Sequence, residues 1–188
     1  MLPPPDPNGG IPLDMAIASR VSRRDLTGGP LTDEQVSQLL WAGQGRSATS
    51  GTHTVPSAGA LYPLELYLLQ DGTVFLYEQT LHSLRVVVEG LGPDKVEQAA
   101  LGQQFVADAA ANIVIAADFS KTRTRYRDRT ERYVYMEAGH AAQNILLEAT
   151  SLGLGSVPVG AFDDRALARL LGLRSGLSAI YMVSIGAA

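Results

Sequence analysis

The dipeptide Asp71-Gly72 separates two runs with alternating apolar residues, Leu64–Gln70 and Val74–Tyr77. A two-residue Asp-Gly link closes a β-hairpin, so these runs are predicted to pair antiparallel. Leu84–Val88 reads as a third strand, and Asn112–Ala117 is a short apolar run of the buried-strand kind. Helical patterns surround them. Leu13, Ile17 and Val21 space a helix over 13–21. Thr32-Asp33-Glu34-Gln35 is a capping box opening a helix whose apolar face is Val36, Leu39 and Leu40. Pro93–Ala110 predicts helix broken at Gly102. A long helix runs from about Thr130 to Leu152 and is stopped by Gly153-Leu154-Gly155. Ser156–Phe162 is extended, Asp163 caps a helix to Leu171, and Leu177–Ile185 is a final strand. Hairpins mixed with helices, without strict β–α–β alternation, give an α+β fold: a sheet with helices packed around it.

Composition closes off several kinds of function. A chain of 188 residues fits one domain and can bury roughly two-thirds of its unfolded surface. The net charge of −4 gives no general affinity for nucleic acid. No cysteine is present, which excludes disulfides, thiol nucleophiles, iron–sulfur ligation and the usual structural zinc sites. No apolar run approaches the roughly 20 residues that span a bilayer. Residues 1–10, rich in Pro and Gly, lack the charged and apolar regions of a signal peptide and read as a lead to a domain over 11–188. The expectation is a cytoplasmic protein that binds neither nucleic acid nor membrane.

Four segments carry possible chemistry. In Pro56-Ser57-Ala58-Gly59-Ala60-Leu61-Tyr62-Pro63, two prolines bracket small residues just before a strand. Small residues let backbone approach a flat ligand, and prolines fix φ in advance. Arg20-Val21-Ser22-Arg23-Arg24 ends the first predicted helix, where Arg20, Arg23 and Arg24 would share one broad face. Guanidinium forks suit phosphate, and Ser22 adds a neutral donor. Gly153–Asp163 presents unencumbered backbone amides along an extended path, and residues 43–55 form a Gly/Ser/Thr-rich loop expected to be mobile. Glu137, His140, Gln143 and Asn144 recur at helical spacing. With three histidines in the chain and no partner motif they predict no metal site, but polar groups at a subunit seam or satisfied in the core.

These segments together resemble the FMN-dependent nitroreductase superfamily and, within it, the SagB-type dehydrogenase and azoline-oxidase branch. The resemblance runs from about Gly10 to Gly186. It is carried by Arg20-x-Ser22-x-Arg24, by Pro30-Leu31-Thr32 through Leu39-Leu40-Trp41-Ala42, by Pro56–Pro63, by Gly139-His140-Ala141-Ala142-Gln143-Asn144 and by Gly153-Leu154-Gly155. It implies an α+β sandwich with a mainly antiparallel sheet, and a homodimer with two FMN sites at the interface. It also implies roles for individual residues. Arg20, Ser22 and Arg24 would hold the flavin phosphate, ribityl chain and pyrimidine edge. Pro56, Ser57 and Ala58 would reach the flavin from the second protomer. Pro158, Val159, Gly160 and Ala161 would pass backbone amides near N5 and O4, and Gln103 falls where a side-chain amide meets the flavin.

Two departures from the resemblance matter. Many such proteins carry Lys or Arg beyond the last strand, where this sequence reads Ile185-Gly186-Ala187-Ala188. Either Arg20 and Arg24 suffice with help from elsewhere, or the flavin is held less tightly. Where the azoline-oxidase branch tends to have Lys-Tyr, this chain has Arg125-Tyr126. Tyr126 keeps a phenol that can move a proton, whereas Arg125 stays protonated and cannot act as a base. The implied activity is hydride exchange through FMN, with NAD(P)H as a candidate donor and nitro or quinone compounds as acceptors. Oxidation of a C–N bond in a peptide or heterocycle, with Tyr126 and Arg125 as the candidate catalytic pair, is the alternative. A non-enzymatic flavin-binding protein is a third reading.

Overall fold

The computed structural model describes residues 1–47 and 51–187. Six strands form one sheet in the order β3-β2-β1-β4-β6-β5, and every neighbouring pair is antiparallel. The strands are β1 (Leu64–Gln70), β2 (Thr73–Glu78), β3 (Ser83–Val88), β4 (Ala111–Asp118), β5 (Gly155–Val159) and β6 (Leu177–Gly186). The Asp71-Gly72 turn is as expected, with φ of 49° and 67° at its two residues, the left-handed pair that a tight hairpin needs.

The apolar runs explain the layering. In β4, Ile113, Ile115 and Ala117 face one side of the sheet while Val114 and Ala116 face the other, and all five are buried. Helices therefore cover both faces. On the first lie α2 (Asp33–Gln44) and α6 (Thr130–Ser151), with Leu39, Leu40, Ile145 and Ala149 packed on Leu64, Leu66 and Leu68. On the second lie α3 (Pro93–Ala99), α4 (Gln104–Asp108) and α7 (Asp164–Leu170), which bring Val96, Val106 and Leu167 onto Tyr67, Leu69 and Met182. The capping box at Thr32 is complete in both directions, and Asp163 caps α7 by accepting from Ala166 N–H. Gly43 lets α2 approach closely: a Cβ there would come within 2.8 Å of Ile145 and 2.9 Å of Leu66.

Four features differ from the sequence expectation. The first helix, α1 (Leu13–Ser19), stops two residues short of Val21, because Ser22 pairs its backbone with Ser156 and Arg23 N–H donates to the Ser156 carbonyl at 2.9 Å. Arg20, Arg23 and Arg24 therefore do not share a helical face: Arg20 caps α1 and the other two lie on extended chain. The segment Phe119–Tyr126, for which the sequence analysis predicts no element, forms a helix, α5 (Phe119–Tyr126), capped by Asp118. The Pro-rich lead is docked, with Leu2 N–H on the His82 carbonyl and Ser37 Oγ donating to the Pro3 carbonyl at 2.6 Å. The loop expected over 43–55 is mostly built in. Gly43 and Gln44 belong to α2, Val55 is wholly buried, and Arg46 pairs with His53; residues 48–50 of that loop lie outside the described residues.

Ile145 is wholly buried between Gly43 and the sheet. Ile145→Ala should lower unfolding free energy by about 2–5 kcal/mol, measured by urea denaturation, because the transfer and cavity costs add.

Candidate functional site

The residues singled out in the sequence fall into two clusters, one along β5 and one on the loop before β1. The first lies along β5. Ser22 runs parallel to Ser156, Arg23 N–H holds the Ser156 carbonyl, and Arg20 and Arg24 flank this contact. Arg24 places its guanidinium 5.7 Å from the centroid of the Phe105 ring, on the helix that Gln103 precedes. Gln103 Nε2 donates to the carbonyls of Ala100 and Ala161, both at 2.7 Å, and so braces the segment Pro158–Ala161 that leaves β5. Ser22, Arg24, Gly160 and Ala161 are exposed. Neither Arg20 nor Arg24 has a carboxylate within 4.0 Å among the described residues. Two unpaired guanidiniums, a hydroxyl and exposed amides form a donor set with an apolar ring beside it. Such a set suits a phosphorylated planar ligand.

The second cluster is built on the loop before β1. Ala58–Ala60 form a single 3-10 turn; Gly59 and Ala60 within it and Tyr62 just beyond it have φ of 64°, 54° and 44°. Ala60 and Tyr62 each hold a backbone shape that costs of order 1–3 kcal/mol and persists only when the surroundings enforce it. The enforcing contacts reach the loop from its own Ser57 and from α2 and α6 behind it. Ser57 Oγ accepts from Tyr62 N–H at 2.9 Å. Gln44 Nε2 donates to Glu137 Oε1 at 3.3 Å, and Gln44 Oε1 lies 2.7 Å from His53 Nδ1. With its NH2 turned to Glu137, the amide presents oxygen to His53, so His53 carries its proton on Nδ1. The His53 ring then stacks on the Tyr62 ring, with centroids 3.9 Å apart and planes 14° from parallel.

Arg125 and Tyr126 reach the same loop. A Cβ at Gly59 would meet Tyr126 Oη at 2.9 Å and Arg125 Nη1 at 3.1 Å, so only glycine fits where the pair packs. The Tyr126 ring also meets Tyr133 edge-on at 4.7 Å. Pro56, Ser57 and Ala58 thus belong to the loop that Arg125 and Tyr126 meet, whereas Arg20, Ser22 and Arg24 lie on the segment paired with β5 and Gln103, at the start of α4, braces Pro158–Ala161. Three strand spacings, roughly 14 Å, separate β1 from β5 within one chain.

The row of polar residues on α6 splits by face. Glu137 is buried, Asn144 donates to the Ala42 carbonyl at 3.1 Å, and His140 and Gln143 are exposed. Glu137 and His140 therefore do not converge. Among the described residues no group of three or more His, Cys, Asp or Glu could hold a metal. Sequence reasoning missed the bond between Glu137 and Gln44. The available signal was an acidic residue in register with the apolar positions Val134, Ala138 and Ala141.

Burial pushes the Glu137 carboxyl up to about 7, against the opposing pull of Ser57, Gln44 and Lys121. The folded chain therefore holds a proton that the unfolded chain releases near 4.5, so this group's contribution to stability falls as pH rises from about 4.5 to about 7. Burial lowers His53 and His82, which contribute with the opposite slope. The test is thus a difference: relative to Glu137→Gln, the wild-type urea midpoint should decline across that window. Parallel profiles would place the titration elsewhere.

Residues 17–187 match the nitroreductase family. A nitroreductase homologue of Methanocaldococcus jannaschii is 42% identical over 172 residues, covering 87% of this chain and 86% of the other. A crystal structure of a nitroreductase homologue from Ralstonia eutropha superposes with a TM-score of 0.88 at 28% identity, covering all of this chain and 88% of that one. The NADPH:FMN oxidoreductase of Vibrio harveyi, in complex with NAD+, shares the fold with a TM-score of 0.67 at 23% identity, over 93% of this chain and 68% of that one. The chain belongs to the nitroreductase family of oxidoreductases.

Proposed function

We propose that the protein is an FMN-dependent oxidoreductase that takes hydride from NAD(P)H and passes it to flat acceptors of the nitro or quinone type. The observation that supports this reading is the pairing of the Arg20–Arg24 segment with β5 through Ser22 and Arg23, with Arg24 beside the Phe105 ring and the exposed Gly160 and Ala161 following the same strand. FMN, when bound, supplies hydride exchange at its N5 position. Arg20, Arg24 and Ser22 would hold the phosphate and ribityl chain, and along the segment Pro158, Val159, Gly160 and Ala161 the exposed N–H groups of Gly160 and Ala161 would be donors to the ring edge where charge develops on reduction. Gln103 fixes that segment through the Ala161 carbonyl.

The two clusters are completed by a homodimer in which Pro56, Ser57 and Ala58 of one protomer serve the flavin of the other. Exposed apolar side chains support this. Leu13, Met15 and Ile17 of α1 and Tyr135 and Met136 of α6 are each more than half exposed, and α1 packs against α6. On α6 these side chains line up with Arg132, Gly139, His140 and Gln143 as an outward stripe, and nothing lies within 4 Å of a Cβ placed on Gly139. An apolar patch of that extent on one face marks an interaction surface. Near the loop, none of Arg123, Arg125, Arg127, Arg129 and Arg132 has a carboxylate within 4.0 Å among the described residues. They offer an anionic reductant a favourable approach.

The packing of Tyr126 on Gly59 favours a second reading, a dehydrogenase of the SagB type acting on a peptide or heterocyclic C–N bond. There a proton must leave as hydride departs, and Tyr126 is the available acid–base group. For quinone and nitro acceptors, solvent supplies protons.

Purified protein should release FMN on denaturation, run as a dimer by light scattering and bleach on anaerobic mixing with NADH or NADPH. Arg20→Ala with Arg24→Ala should abolish flavin retention. FAD in place of FMN, or a monomer that keeps stoichiometric FMN, contradicts the reading. Tyr126→Phe should leave flavin content unchanged and alter quinone reduction only a few-fold. A loss of roughly 100- to 10,000-fold in substrate oxidation would instead favour the dehydrogenase.

A further inference from the structure

We infer that Asp118 is a positioning residue of the candidate site: it seats helix α5 as a splint along the Pro56–Pro63 loop, and Arg174 holds it there. The inference rests on the flavin reading above, in which that loop meets the cofactor of the other protomer.

Helix α5 meets the loop at three places, in reverse order along the chain. At the start, Asp118 N–H donates to the Pro63 carbonyl at 2.9 Å. One turn on, Lys121 Nζ donates to the Tyr62 carbonyl at 3.4 Å. At the far end, Arg125 Nη1 and Tyr126 Oη lie 3.1 and 2.9 Å from where a Cβ on Gly59 would stand. Gly59 and Tyr62 have left-handed φ, as does Ala60 between them. A segment of that shape persists only while its surroundings enforce it. The helix is therefore part of what keeps the loop in form.

What seats the helix is concentrated at Asp118. Of the eight residues of α5 only Thr122 is buried, and a helix so short is marginal without packing. Two edge-on ring contacts tie its other side to α6, Phe119 with Tyr135 and Tyr126 with Tyr133. Its first turn, where Lys121 sits, depends on the Asp118 carboxylate. Oδ1 accepts from Ser120 N–H at 3.0 Å and from Ser120 Oγ, which makes the N-cap. Oδ2 accepts from Arg174 Nη2 at 3.4 Å, and the same nitrogen donates to Glu65 Oε1 at 2.7 Å. Glu65 lies on β1 two residues past Pro63, and its other oxygen accepts from Tyr67 Oη at 3.3 Å. One guanidinium thus joins the cap of α5 to the strand into which the loop runs. The Arg174 side chain is 51% exposed and that of Asp118 13%. An ion pair with one partner so open contributes little, so the cap is the stronger tie.

The test follows amide hydrogen exchange in the full chain at α5 and at Ala60 and Tyr62, whose N–H groups both bond Ser57, relative to the amides of β4. FMN affinity is measured alongside by fluorescence titration of the flavin-free protein. Asp118→Ala should speed exchange at α5 and at both loop amides and weaken FMN binding about fivefold, the size of a typical lost N-cap. Asp118→Asn, whose side-chain oxygen still caps, should recover most of both. Arg174→Ala, at an exposed site, should act in the same direction by about twofold, an effect that fades at high salt. If either the loop amides or the FMN affinity of Asp118→Ala stay at wild-type values, the inference is overturned and Asp118 is a cap of α5 alone. Should Asp118→Ala fail to fold, Arg174→Ala decides by the same two readings. A wild type that binds no FMN sinks the flavin reading instead, and exchange at Ala60 and Tyr62 then decides whether Asp118 seats the loop.

Discussion

Strand β4 has no solvent face, and the rest of the fold follows from that constraint. It pairs with β1 on one edge and β6 on the other, and its side chains alternate into two separate cores. A strand buried on both faces needs a helical layer on each, which α2 with α6 and α3 with α7 supply. Where polarity enters this strand it is satisfied internally. Asn112 donates to the Val106 carbonyl and accepts from Ser184 Oγ at 2.6 Å. Among the described residues no buried side-chain nitrogen or oxygen lacks a partner. The sheet is thereby a rigid platform, and what is shaped for chemistry hangs from its end: the loop before β1, the segment after β5 and the helix after β4.

Glu137 is the exception that this platform tolerates. It sits on α6 among Val134, Ala138 and Ala141, where an apolar side chain would pack without cost in charge. Burying a carboxyl is unfavourable unless its oxygens are paired, and here the partner is the Gln44 amide of α2, which in turn meets His53. A residue that opposes folding stability over part of the pH range yet orients the amide that meets His53, whose ring stacks on Tyr62, is the pattern expected where local shape matters more than the last increment of stability.

How much of this was legible in the sequence depended on whether the governing interaction was local. The hairpin at Asp71-Gly72, the capping box at Thr32, the cap at Asp163, the break at Gly102 and the stop at Gly153 all rest on a few adjacent residues, and all are present. The early end of α1 was not legible, because its cause is a pairing with Ser156, more than a hundred residues away. Helix α5 was missed for a different reason. Phe119–Tyr126 has no apolar stripe, and the helix stands on the Asp118 cap and on arginines near its C-terminal end, where the helix dipole favours positive charge. The site residues were visible as four separate segments, but their grouping into two clusters depends on strand order, which spacing alone does not encode.

That grouping bears on the homodimer proposed above. The Arg20–Arg24 segment needs the free edge of β5, while the Pro56–Tyr62 loop needs the support of α2, α5 and α6 behind β1. Strands β4 and β6 stand between them. One copy cannot fold these elements together without breaking the pairing of the most buried strand in the molecule. Two copies can bring them together without moving either, if the apolar faces of α1 and α6 are where they meet. Association then costs little internal rearrangement, and a ligand held between both halves would itself stabilise the assembled state. The rigidity of the doubly buried sheet, which keeps the two clusters apart in one chain, would be what lets each present a preformed surface to the other.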